Sequence, residues 1–119
     1  MTDYVRSQLV AAGVDVDSVM ARFMNNDALL ERFLRKFKAD PNYQQLLEAV
    51  KEKDNEKAFA AAHTLKGVAG NLSLSALQSQ VSDQCELFRG GNFEGGAALM
   101  DQVTEEYERV TAAIDKIYP

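Results

Sequence analysis

Residues 54–73 read DNEKAFAAAHTLKGVAGNLS, and no other stretch says as much about fold and chemistry together. At about 100° per residue along a helix, with His63 set at zero, Ala58, Ala62, Leu65, Ala69 and Leu72 fall between about 180° and 260°. That is a core stripe. Lys66, Gly67 and Gly70 fall within about 60° of His63 on the opposite face. The only histidine of the chain is therefore expected to point away from the core, with a cation one turn ahead. Each helix-interior glycine costs roughly 1 kcal/mol relative to alanine. Two of them beside an exposed imidazole make physical sense if another protein's surface must approach it. Phe59, about 40° to the other side and one turn earlier, is placed to offer that partner an apolar contact.

Helix signals continue on both sides of this segment. Asp3 to Ala12 reads as a short helix ended by Gly13, and Asp15 or Asp17 can cap a second. Asn26 can cap a third, in which Leu29, Leu30, Phe33, Leu34 and Phe37 recur at helical spacing. Asp40-Pro41 opens a segment to about Glu52, and Asp54 opens the helix just described. Ser73 or Ser75 restarts the chain into a helix ending at Arg89, where Gly90-Gly91 breaks it. Asn92 begins a last helix running through Ile117, with Gly95 and Gly96 weakening its first turns. No window alternates apolar and polar residues as a strand would. Short connections between such helices favour antiparallel neighbours. The expected fold is all-α, an up-down four-helix bundle with additional short N-terminal helices, forming one domain over 1–119 with its core at about 16–117.

Composition removes several classes of function. The 119 residues carry 13 Lys+Arg against 18 Asp+Glu, a net charge of −5, with no basic block to offset it. Nucleic acid and anionic membrane are therefore poor partners. A single cysteine, Cys85, cannot form an internal disulfide, and no Cys/His cluster has zinc spacing, so no metal is expected. The opening MTDYVRSQLVAAG lacks the pattern of a signal peptide, and no apolar run has the length of a membrane span. A cytoplasmic monomer is the expectation. Cys85, on an apolar helix, reads as a buried structural thiol, and the Glu105-Glu106 and Asp15/Asp17 pairs read as solvated faces and helix N-termini.

A neutral imidazole nitrogen is a competent nucleophile toward phosphorus. An exposed histidine titrates near pH 6.5, so much of it is unprotonated near neutrality. A lysine one turn on is suited to stabilise a dianionic phosphoryl group once attached, because a mobile point charge can follow the phosphate oxygens. The pattern points to a phosphoryl carrier.

The run AHTLKGVAGNL, Ala62 to Leu72, closely resembles the histidine-containing phosphotransfer (HPt) domain family through its H-x-x-K-G motif, small residues and Asn-Leu. The resemblance extends more weakly over 16–117, through helix order and QCELFRGGNFE at the end of the following helix. It implies a four-helix bundle whose exposed histidine exchanges a phosphoryl group with receiver-domain aspartates in two-component signalling. By position, His63 would be phosphorylated and Lys66 would be its electrostatic partner. Gly67 and Gly70 would clear the docking surface, with Asn71 beside them. The family implies response-regulator receivers and hybrid histidine kinases as partners. It also implies no cofactor on this chain, with Mg²⁺ supplied by the receiver, and no kinase activity of its own. Ser73 stands where the family commonly has glycine. Some members orient the imidazole with a Gln or Glu on the next helix, near where this chain has Cys85 between Gln84 and Glu86, so that partner stays unassigned. The alternatives are a phosphoacceptor domain excised from a larger kinase, and a helical interaction module in which His63 is incidental.

Overall fold

The computed structural model describes all 119 residues. The chain forms α1 (Asp3–Ala11), α2 (Val16–Arg22), α3 (Asp27–Lys38), α4 (Asn42–Lys51), α5 (Asn55–Asn71), α6 (Ser75–Arg89), α7 (Phe93–Ala98) and α8 (Met100–Ile117), with no strand. Five starts are set by side-chain oxygens. Thr2, Asp15, Asn26, Asp54 and Asn92 accept from the backbone N–H three residues on, opening α1, α2, α3, α5 and α7. Each such cap is worth about 1 kcal/mol. Asp15 rather than Asp17 caps α2, and Asp17 pairs with Arg6 at 2.8 Å. At Asp40-Pro41 the chain breaks between α3 and α4, and the Asp40 carboxylate accepts from the Asn42 backbone at 2.9 Å.

The bundle is built from the α3–α4 pair, α5, α6 and α8. Helix α5 packs on α4 and α6, and α6 packs on α7 and α8. One cluster of 26 buried residues runs through it. The α5 contribution is Ala58, Ala61, Ala62, Leu65 and Ala69, none more than 6% exposed. The facing α4 and α6 supply Leu46, Leu77, Val81 and Phe88. The N-terminal helix is docked: Leu9 and Ala12 are buried, and the terminal amine pairs with Asp27 at 2.8 Å. On the far side Tyr107 stacks on Tyr43, ring centroids 3.9 Å apart and 7° from parallel. The Tyr43 hydroxyl meets Thr104 Oγ1 at 2.8 Å.

Two features differ from the sequence reading. The last helix is not continuous from Asn92: it stops at Ala98 and restarts at Met100. The cause is Gly96, which is buried against the Phe88 ring, where an added Cβ would lie 2.3 Å from a ring carbon. The short α7 is thereby pressed onto α6, and the chain must turn at Leu99 before α8 can follow its own line. Glu106 is not on a solvated face. It is 4% exposed, ion-paired to Arg109 and seated beside Gly13, whose missing side chain makes room for its carboxylate.

Gly96→Ala should therefore destabilise the fold by about 1–3 kcal/mol, the usual cost of overpacking a filled core. Phe88 is itself 1% exposed and has nowhere to move. A denaturant midpoint unchanged by this substitution would show that α7 is not held by the Phe88 contact.

Candidate functional site

Helix α5 turns His63 outward because the stripe opposite it is the buried alanine face. His63 is exposed, Lys66 is half-buried one turn on, and Gly67 is exposed on the other flank of the imidazole. A Cβ added at Gly67 would meet nothing within 4 Å, so the space beside the imidazole is open. Gly70 differs. The Gln78 amide of α6 lies over it, 2.7 Å from where a Cβ would stand, so its missing side chain is used by a neighbour within the fold. Phe59 is half-buried, and its ring lies 5.9 Å from that of His63 at 23°. Asn71 is exposed at the end of the helix, at the edge of a groove.

The residues flanking Cys85 do not reach His63. Gln84 is fully buried and points the other way, donating from Nε2 to the Gly96 carbonyl at 3.1 Å and to Met100 Sδ at 3.4 Å. Glu86 accepts from Arg89 Nε at 3.3 Å. Cys85 is fully buried. Burial pushes its thiol above the ordinary value, while the positive charges of Lys66 and Arg89 pull in the opposite direction. The charge of Lys66 is unpaired, since it takes part in none of the ion pairs.

Two features of this face escaped the sequence reading. One is Arg89, which lies in the QCELFRGGNFE run but has no periodicity signal linking it to α5. Its guanidinium sits 4.9 Å over the Phe59 ring. The other is the groove of about 580 Å³ between α3 and the end of α5, floored by Phe23, Phe33, Phe37, Val68 and Leu72 and edged by Arg22 and Lys36. In sequence Phe33 belongs to the apolar stripe of α3. It is 39% exposed, tilted against Phe23 at 5.3 Å and covered by the Lys36 ammonium at 5.5 Å.

The outward histidine, the unpaired lysine beside it and the open glycine flank form an accessible surface rather than an enclosed pocket. No cluster of side chains able to hold a metal ion accompanies it, and no helix is long and apolar enough to cross a membrane. The model of the Hpt domain matches residues 28–113, and the chain belongs to that family. Hpt domains are helical-bundle phosphotransfer carriers of two-component signalling that interact with response-regulator receivers. No match to the chain is found among curated proteins or solved structures.

Two measurements check this geometry. With its pKa raised, the Cys85 thiol stays protonated at mildly alkaline pH, where a free thiol has begun to ionise. Alkylation by iodoacetamide at pH 8 should be much slower in the native protein than in the denatured chain. Equal rates would mean that Cys85 is accessible. Gly67→Ala should raise stability by up to about 1 kcal/mol, because helix propensity improves in open space. A lowered melting temperature would show a steric role for Gly67 within the fold.

Proposed function

We propose that His63 is the phosphoacceptor of a phosphorelay carrier, taking a phosphoryl group from a receiver-domain aspartate or a kinase and passing it to another receiver aspartate. The observation that carries this reading is the open flank of His63: an exposed imidazole, unpaired Lys66 and nothing over Gly67. In the transfer, the lone pair of the neutral imidazole nitrogen attacks phosphorus. The N–P bond forms as the P–O bond to the donor carboxylate breaks, and the aspartate leaves as its anion. The second ring nitrogen keeps its proton throughout, so no general base on this chain is needed. Lys66 stabilises the transferring and attached phosphoryl oxygens electrostatically.

Mg²⁺ belongs to the receiver in this reading, because an outward imidazole and an ammonium offer a hard cation no oxygen ligand. The chain acts as a substrate and carrier, not as a kinase, and works as a cytoplasmic monomer. Docking centres on the His63 face of α5, with Phe59, Gly67 and Asn71 at the contact and Gly70 beneath the Gln78 amide at its edge. The groove edged by Arg22 and Lys36 extends this contact beyond Asn71.

The test is phosphoryl transfer from receiver domains charged with acetyl phosphate and Mg²⁺. Wild type should acquire an acid-labile, base-stable modification that His63→Gln lacks. Lys66→Ala should slow transfer several-fold, on the scale of about 1 kcal/mol for a partly exposed charge interaction, with the melting temperature unchanged. No transfer across a wide receiver panel, with the fold intact, would overturn the relay reading and leave an interaction module.

A further inference from the structure

We propose that Phe59 is a positioning residue for His63, clamped in turn by Arg89 of α6, so that a stack takes the place of a hydrogen bond in orienting the imidazole. This deepens the phosphoacceptor reading and rests on it for its kinetic consequence.

A side chain on an exposed helix face has more than one staggered χ1 well open to it. A nucleophilic nitrogen is useful only in the orientation that sets its lone pair in line with the bond to be broken. Hydrogen bonding to a neighbouring side chain is one way to select that orientation, but no such partner reaches His63. Gln84 is committed to Gly96 and Met100, Glu86 to Arg89, and Cys85 is fully buried. What does lie against the ring is Phe59, one turn earlier on the same helix face, at 5.9 Å between centroids and only 23° from parallel.

At 5.9 Å and 23° the phenyl ring lies offset beside the imidazole rather than square over its face, and it makes no hydrogen bond to the imidazole edge. Both nitrogens lie on that edge. A hydrogen-bonding partner would occupy one of them, whereas the stack holds the ring and leaves one nitrogen as nucleophile and the other as N–H. The phenyl ring is itself restrained from a second helix by the Arg89 guanidinium, 4.9 Å from its centroid. Arg89 is tied back to Glu86. The chain Glu86–Arg89–Phe59–His63 thus couples the imidazole to α6 without placing a polar group against it.

Phe59 could instead serve only as an apolar contact for the partner, and the two roles separate experimentally. His63 is the only histidine, so its two ring C–H signals in a ¹H–¹³C NMR spectrum of the whole chain are unambiguous. Held against the face of Phe59, they should be shielded. In Phe59→Leu, which keeps apolar bulk without a ring current, they should move downfield, and in Phe59→Tyr they should stay. In transfer from a charged receiver of varied concentration, Phe59→Leu should lower the maximal rate about two- to ten-fold, the range an aromatic pair supports. Any shift in the half-saturating receiver concentration reports separately on Phe59 as an apolar contact for the partner, most of which leucine keeps. Phe59→Tyr should restore the rate, and Arg89→Gln should lower it less than Phe59→Leu does. His63 signals that do not move in Phe59→Leu would overturn the proposal, as would a change confined to the half-saturating concentration. If wild type accepts no phosphoryl group from any receiver, the relay reading fails, and the spectrum alone then decides whether the stack holds the ring.

Discussion

The alanine face of α5 is the constraint on which the rest of the molecule depends. Four of its five buried residues are alanines, so the backbones of α4 and α6 can come close, while the larger Leu46, Leu77, Val81 and Phe88 of those neighbours fill the space. A face this narrow admits no histidine or lysine without forcing the helices apart, and overpacking a filled core costs about 1–3 kcal/mol. The rotation of α5 about its axis is thereby fixed. With it are fixed the outward direction of His63, the position of Lys66 one turn on, and the open side at Gly67. The chemistry of the exposed face is a consequence of what the buried face excludes.

The rotation of α5 was legible because it depends on residues within one helix. Apolar spacing placed Ala58, Ala62, Leu65, Ala69 and Leu72 inside and His63 outside, and all of them lie so. Helix starts at Asn26, Asp54 and Asn92 were legible for the same reason, since a cap and the amide it accepts from are three residues apart. The break at Leu99 was not. Gly95 and Gly96 signalled a weak helix, but that Gly96 is needed for contact with the Phe88 ring depends on how α6 and α7 lie together. Arg89 was hidden in the same way. Nothing in its spacing says that its guanidinium will cross to Phe59, because that contact joins two helices at a distance of thirty positions in the chain.

Buried polar groups tell a similar story. Ser73 adopts a left-handed backbone conformation (φ 51°), which for a residue with a side chain costs roughly 1–2 kcal/mol. Glycine, common in the family at this position, would avoid that cost. Ser73 is instead held by contacts. Its hydroxyl donates to Ser18 Oγ at 2.9 Å, and its carbonyl accepts from the Asp15 amide at 2.9 Å. The α5–α6 turn is thus pinned to the start of α2, which a glycine would do with one bond fewer. Gln84 and Glu106 likewise look in sequence like any surface residues of α6 and α8. Their burial follows from close approaches at Gly96 and Gly13, two glycines whose partners lie elsewhere in the chain.

The electrostatics of the site run against the charge of the whole molecule. A net charge of −5 would by itself disfavour a phosphoryl dianion, yet exposed charges are screened over about 8 Å at physiological salt. What His63 experiences is therefore set by its neighbours. The positive charges of Lys66 and Arg89 both lower the cost of ionising buried Cys85, and Arg22, Lys36 and Asp40 line the groove at the end of α5. Of these cations Lys66 is the one on the His63 face without an ion-pair partner, while Arg89 is paired with Glu86 and Asp40 shares the groove with Arg22 and Lys36. Charge arranged in this way acts on the orientation of an encounter more than on its strength, because misaligned encounters meet like charge. Steering of this kind raises encounter rates without adding buried contact, which suits a carrier that must bind, exchange a phosphoryl group and let go.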